Sequence, residues 1–156
     1  FGGWTRQRRL EIMKDSRVGS YGVLALLLVT LARWSALVTL LGGGSLWALV
    51  AVGALSRAPM AVIMSALPNA RGTGLSHATG RPSAAAALAG CGLAAGLGLL
   101  ICGWAALAML AAVALTSGLL ARLAQRRIGG QTGDILGAAE QLAEAACLAV
   151  LAAQVA

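Results

Sequence analysis

The chain has 156 residues, of which 59% are hydrophobic and only 11% charged, with a mean hydropathy of +0.84 and a net charge of +7. A soluble domain of this length needs more polar surface, so a soluble globular fold is excluded and the long apolar runs read as membrane spans. The basic balance then speaks to membrane orientation and to anionic partners, not to nucleic acid, which needs a basic soluble surface.

Residues 1–19 are polar and basic, with Arg6, Arg8, Arg9, Lys14 and Arg17 beside Glu11 and Asp15. Leu10, Met13 and Trp4 suit the headgroup layer of a short interfacial helix. A first span is expected over residues 21–41. Gly42-Gly43-Gly44 reads as a tight turn that makes the next span its antiparallel neighbour. That span covers residues 45–67 and ends at Pro68. A polar segment, 69–82, carries Asn69, Arg71, His77 and Arg81. The apolar stretch 83–121 is too long for one span and divides near Gly103 into 83–102 and 104–121. Residues 122–133 read as a polar connection, and a last span covers 134–155. Gly92 and Gly96 form a G-x-x-x-G pair, a packing face in membrane helices. The expected fold is all-α: one membrane domain, a polytopic helical bundle of about five spans. Helices are favoured over barrel strands because the runs are continuous and Leu/Ala-rich, not alternating.

Five spans put residues 1–19, 69–82 and 122–133 on one side. Ten of the twelve Lys and Arg lie in those segments and none in the two opposite connections. The positive-inside rule makes the charged side cytoplasmic. The remaining two, Arg33 and Arg57, lie within spans, where a charge costs at least about 2.5–3.5 kcal/mol. Glu140 and Glu144, four apart on the last span, are the partners expected for them in a polar network. Cys91, Cys102 and Cys147 each sit within an apolar run and read as small packing residues, neither disulfides nor metal ligands.

Two clusters have the composition of a phosphate site. In residues 8–17, Glu11 and Asp15 would share a helix face and suit a divalent cation. Lys14 and Arg17 would take phosphate oxygens. The plainer reading is a solvated basic helix on the membrane surface. In residues 129–134, Gly129 and Gly130 let backbone N–H groups approach a phosphate, with Thr132 beside them. Asp134 would be a metal ligand or simply the N-cap of the last helix. The plainer reading there is a tight turn.

Residues 8–22, Arg-Arg-Leu-Glu-Ile-Met-Lys-Asp-Ser-Arg-Val-Gly-Ser-Tyr-Gly, resemble a characteristic stretch of the cobalamin 5'-phosphate synthase family, the adenosylcobinamide-GDP ribazoletransferases. Ser56-Arg57-Ala58-Pro59-Met60 and the segment with Pro68, Ala70, Arg71, Gly74 and Leu75 look like its middle region, and residues 129–138 resemble its C-terminal motif. The resemblance implies a magnesium-dependent enzyme of the bacterial or archaeal inner membrane. Such enzymes join adenosylcobinamide-GDP to alpha-ribazole or its 5'-phosphate and release GMP. Asp15 and Asp134 are then the catalytic and metal-binding candidates, with Lys14, Arg17, Arg71, Gly129, Gly130 and Thr132 around the phosphates. The family carries an acidic Asp-Gly-Leu-Ala-Asp-type motif ahead of the position where Phe1-Gly2-Gly3 stands. This chain therefore reads as the C-terminal part of a longer protein, with the principal metal ligands upstream. Two competing readings are a CDP-alcohol type phosphotransferase, which would need more clustered Asp, and a small channel or transporter, which would use the intramembrane charges.

Overall fold

A computed structural model describes residues 3–15, 17–43 and 46–155. Seven helices form among them: α1 (Arg6–Lys14), α2 (Ser20–Gly42), α3 (Ala48–Ala66), α4 (Leu75–Ala78), α5 (Ala84–Cys102), α6 (Ala105–Ile128) and α7 (Gly133–Val155). Five of these, α2, α3, α5, α6 and α7, are long and apolar enough to cross a bilayer. The chain is thus a multi-pass, all-helical membrane protein, as its apolar runs require.

α7 is the hub of the bundle. It packs on α2, α3 and α6, while α3 packs on α5 and α7. The main core joins Ala36 and Leu40 of α2, Val52 and Leu55 of α3, Ala94 of α5, Met109 and Val113 of α6, and Cys147, Leu148 and Leu151 of α7. Their spacing of three and four residues puts one stripe of each helix toward the centre. Leucines on the opposite stripes, such as Leu27, Leu93 and Leu115, are exposed, as suits a lipid-facing surface. Trp47 and Trp104 stand exposed at the starts of α3 and α6, a position suited to the headgroup boundary.

Several sequence expectations change. α2 packs on α7 instead of forming its main interface with α3, because the face carrying Ala36 and Leu40 and the Arg33 side chain both point to α7. Gly44 of the expected glycine turn lies outside the described residues. α6 continues to Ile128 instead of ending near Ala121. Arg122, Arg126 and Arg127 read as loop but are good helix formers, and two of them complement the negative end of the helix dipole. Gly129 stops the helix in the left-handed conformation (φ 74°), where glycine carries no Cβ penalty; its N–H reaches back to the carbonyls of Ala124 and Gln125. Gly92 and Gly96 face open space. The close-packed glycine of α5 is Gly98, where an added Cβ would lie 3.1 Å from Leu55 Cδ1.

Finally, Asp15 is not on the face of a helix with Glu11. α1 ends at Lys14, and Asp15 is its extended C-cap.

Candidate functional site

The polar motifs converge on one end of the bundle. At its centre, two connections meet in a short parallel bridge between Asn69 and Gln131. Ala70 N–H donates to Gln131 O and Gln131 N–H donates to Pro68 O, both at 2.8 Å. This approach requires glycine at position 130, since a Cβ there would collide with the Pro68 carbonyl oxygen. Asn69 shapes the facing loop. Its Oδ1 accepts from the N–H groups of Arg71 (3.0 Å) and Gly72 (2.8 Å), and its Nδ2 donates to Ser76 Oγ (2.9 Å).

The bridge sets Arg71 against Asp134. Arg71 Nη2 donates to Asp134 Oδ2 at 2.7 Å. Arg71 is largely buried and its Nε has no partner, while the Asp134 side chain is half-exposed. Asp134 lies in the first turn of α7, where free N–H groups and the helix dipole favour negative charge. The N-cap is Thr132, not Asp134: Thr132 Oγ1 accepts from Ile135 N–H at 3.4 Å and its carbonyl from Leu136 N–H at 3.1 Å. Thr132 is only 1% exposed.

The glycines have structural work of their own. Gly129 caps α6 and lies under the Arg6 guanidinium, and Gly130 permits the loop bridge. α1 is moored across them. Thr5 Oγ1 caps it by accepting from Arg8 N–H at 3.3 Å. Arg9 Nη1 donates to the Arg127 carbonyl at 2.9 Å and Arg6 Nη2 reaches Ala70 O at 3.4 Å. Arg9 therefore answers one of the unpaired carbonyls at the end of α6. The roles of Arg6, Arg9 and Gln131 have no sequence signature. Their partners are backbone atoms far along the chain, which no local pattern announces.

Lys14, Asp15 and Arg17 sit exposed at the far end of α1. Arg17 Nη2 donates to Asp15 Oδ2 at 2.9 Å, and Arg17 N–H to Oδ1 at 3.0 Å. The Arg17 side chain, then its backbone N–H, hold the Asp15 carboxyl below the ordinary carboxylate range; the same pairing raises Arg17. Glu11 pairs instead with Arg8 at 3.1 Å. No hydrogen bond or ion pair among the described residues joins Lys14, Asp15 or Arg17 to the Arg71–Asp134 pair. Nor do three metal-ligating side chains converge among the described residues. With Asp15 and Asp134 each held by an arginine, these residues do not by themselves fit a magnesium site.

Deeper in the bundle, the intramembrane charges meet on α7. Arg33 pairs with Glu144 through Nη2 and donates from Nη1 to Gln141 Oε1 at 2.6 Å. Gln141 Nε2 donates to Glu140 Oε2 at 2.8 Å, and Glu140 Oε1 lies 3.5 Å from Arg57 Nη2. Glu140 and Glu144 lie about 10 and 16 Å along α7 from its start at 1.5 Å per residue. The network lines an open cavity of about 500 Å³ with Met60 and Gly137. It is thus a polar groove, with Arg57 largely exposed in it.

Fold and site together define a polytopic membrane protein that gathers arginines, one carboxylate at a helix N-terminus and a close loop junction at one membrane face. It belongs to the cobalamin-5-phosphate synthase family, whose model matches residues 1–152. The chain is 45% identical to an adenosylcobinamide-GDP ribazoletransferase of Bradyrhizobium diazoefficiens, over 97% of this chain and 59% of that protein. It is 43% identical to the enzyme of that name in Mesorhizobium japonicum (96% and 58%) and 42% identical to that of Brucella ovis (95% and 60%). The chain therefore spans about three fifths of the length of these curated relatives. No solved structure matches the chain.

Proposed function

We propose that this chain supplies one part of an adenosylcobinamide-GDP ribazoletransferase, acting in the final assembly of cobalamin. The relatives carry that name, and the observation that supports the reading most is the Arg71–Asp134 pair mounted on the loop bridge. In the proposed reaction, a hydroxyl oxygen of alpha-ribazole or its 5'-phosphate bonds to the corrinoid-side phosphorus. The bond from that phosphorus to the bridging oxygen breaks, GMP leaves with the electron pair, and the hydroxyl proton passes to a base.

Such a displacement spreads charge over phosphoryl oxygens, and fixed cationic donors stabilise it. Arg71 has the unpartnered Nε for that role, and Asp134 fixes its guanidinium. The first turn of α7 offers N–H groups to the same anion. Lys14 and Arg17, both exposed, would collect the polyanionic substrate at the surface. Asp15 and Asp134 remain the acids assigned to the reaction. Magnesium would be held by ligands additional to these residues and would neutralise charge on the phosphates. The motif face is assigned to the cytoplasmic side of the inner membrane, from the one-sided placement of Lys and Arg.

The test is turnover of the full-length protein in nanodiscs: adenosylcobinamide-GDP with alpha-ribazole, GMP followed by chromatography and the corrinoid product by mass. Stoichiometric GMP and product are expected. Ion or solute flux in proteoliposomes, with no GMP released by the full-length protein, would replace this reading with a transport one.

A further inference from the structure

A second cavity opens beside the bridge, about 230 Å³ in volume. Met64, Leu67 and Pro68 make an apolar wall, and His77 and Arg81 lie among its polar lining residues. Gln131 also lines it, and this residue is 3% exposed. Its backbone is committed to the bridge, but its side-chain Oε1 is buried with no hydrogen-bond partner. A buried carboxamide oxygen left unpaired costs about 1–3 kcal/mol, so one beside a cavity calls for a donor from whatever fills that space. The other polar residues are largely spoken for. Asn69 is spent on its own loop and on Ser76, and Arg81 Nε donates to the Ser65 carbonyl at 2.7 Å.

We propose that this cavity, with Gln131 at its floor and His77 at its mouth, holds the guanine base of the nucleotide leaving group. The proposal rests on the transferase reading above. A flat ring suits a slot with an apolar wall and an imidazole for stacking. Guanine presents N1–H and a 2-amino group on one edge, the donors that Gln131 Oε1 lacks. The benzimidazole base of ribazole, once glycosylated, has no N–H to give. The corrin macrocycle is too large for the space. Connectivity agrees. Asn69 and Arg71 are two residues apart on the loop, and Gln131 and Asp134 three apart on the facing one. A base held by Gln131 would then direct its phosphate along the same two loops, toward Arg71, whose Nε is buried without a partner. Gln131 then acts as a specificity residue, reading the base of the group that departs.

The test uses the full-length protein in nanodiscs with GMP, IMP and AMP as competing product inhibitors of turnover. IMP lacks the 2-amino group; AMP lacks both that group and N1–H. The wild type is expected to favour GMP over AMP about tenfold or more, with IMP between. Gln131→Leu is expected to erase that order while leaving the KM for ribazole unchanged. His77→Ala, on an exposed short helix, is expected to weaken all three nucleotides together and leave their order intact. An order that survives in a folded Gln131→Leu protein overturns the proposal, as does a change confined to the KM for ribazole. If Gln131→Leu does not fold, unchanged nucleotide inhibition in His77→Ala overturns it. Wild-type turnover with no preference among the bases sinks the pocket alone. Absence of turnover and of GMP inhibition sinks the transferase reading and the pocket with it.

Discussion

Replacing Gly130 with alanine isolates the contribution of the loop bridge. The backbone at Gly130 borders the extended region (φ 159°), so conformational cost to alanine there is secondary. Contact decides the outcome. The new methyl is directed at the Pro68 carbonyl oxygen, and also falls 3.1 Å from Pro68 C and 3.3 Å from Ala70 N. All three belong to rigid backbone, so the two loops must separate. Separation breaks both 2.8 Å hydrogen bonds of the bridge. Each is worth about 0.5–1.5 kcal/mol net, and stranding one buried group adds about 1–3 kcal/mol. The junction should therefore be destabilised by about 2–6 kcal/mol. In amide exchange this appears as a loss of protection at Ala70 and Gln131 of about 30- to 20,000-fold. Turnover should fall at least about tenfold, because Arg71 loses its position against Asp134. Gly118→Ala, in a helix with open space at its Cβ, is the control and should leave protection at the bridge unchanged. Unchanged protection at Ala70 and Gln131 in Gly130→Ala would refute the account of why glycine stands there.

Asp134→Asn in the full-length protein should abolish turnover while preserving membrane insertion, and near-normal turnover would remove Asp134 from the site. Arg33→Leu leaves Glu144 as an uncompensated intramembrane charge and should destabilise the bundle by about 2–4 kcal/mol. Arg33→Leu with Glu144→Leu should recover much of that loss, which a double-mutant cycle of unfolding in bicelles would measure; additive losses would mean the pair is not coupled. Asp15 should titrate below its ordinary 3.8. Because its folded value is depressed, the pairing with Arg17 contributes above the unfolded carboxylate range and is lost as pH falls through the lower folded midpoint. Carboxyl NMR should find that midpoint rise toward the ordinary range in Arg17→Ala, which removes the side-chain donor and keeps the backbone N–H.

The membrane spans were legible because a bilayer imposes one rule on every crossing segment, and apolar runs such as residues 24–31 or 107–115 obey it openly. The charge partners were legible for the same reason: Arg33 and Arg57 had few acids within reach of the membrane interior, and Glu140 and Glu144 share one face. Helix ends were less so. Arg122, Arg126 and Arg127 extend a helix as readily as they populate a loop, and only Gly129 in its left-handed turn decides the matter. Glycine meaning was least legible. Gly92, Gly96, Gly98 and Gly130 are the same residue in sequence, yet the first two face open space, the third meets Leu55, and the fourth meets Pro68 from a loop some sixty residues away. The latter contacts depend on which helices become neighbours, information that no single segment carries. The site suffered in the same way, since Gln131 and Arg9 acquire their roles only from distant backbone partners.

The meeting of both arginines on α7 bears on how the protein is made. Arg33 and its partner Glu144 are 111 residues apart in the chain. At about 5–20 residues per second, a ribosome needs roughly 6–22 seconds to travel between them. Before α7 is made, α2 and then α3 leave the tunnel without the two acids that pair with their arginines, since both lie on α7. These spans must wait at the insertion machinery, or pair with water and headgroups, until α7 emerges. Arrival of α7 after α2 and α3 thus makes it the element that supplies both of these carboxylates, and a nascent chain stalled before Glu140 should be recognised as unfinished by quality-control proteases that sense charge within the bilayer.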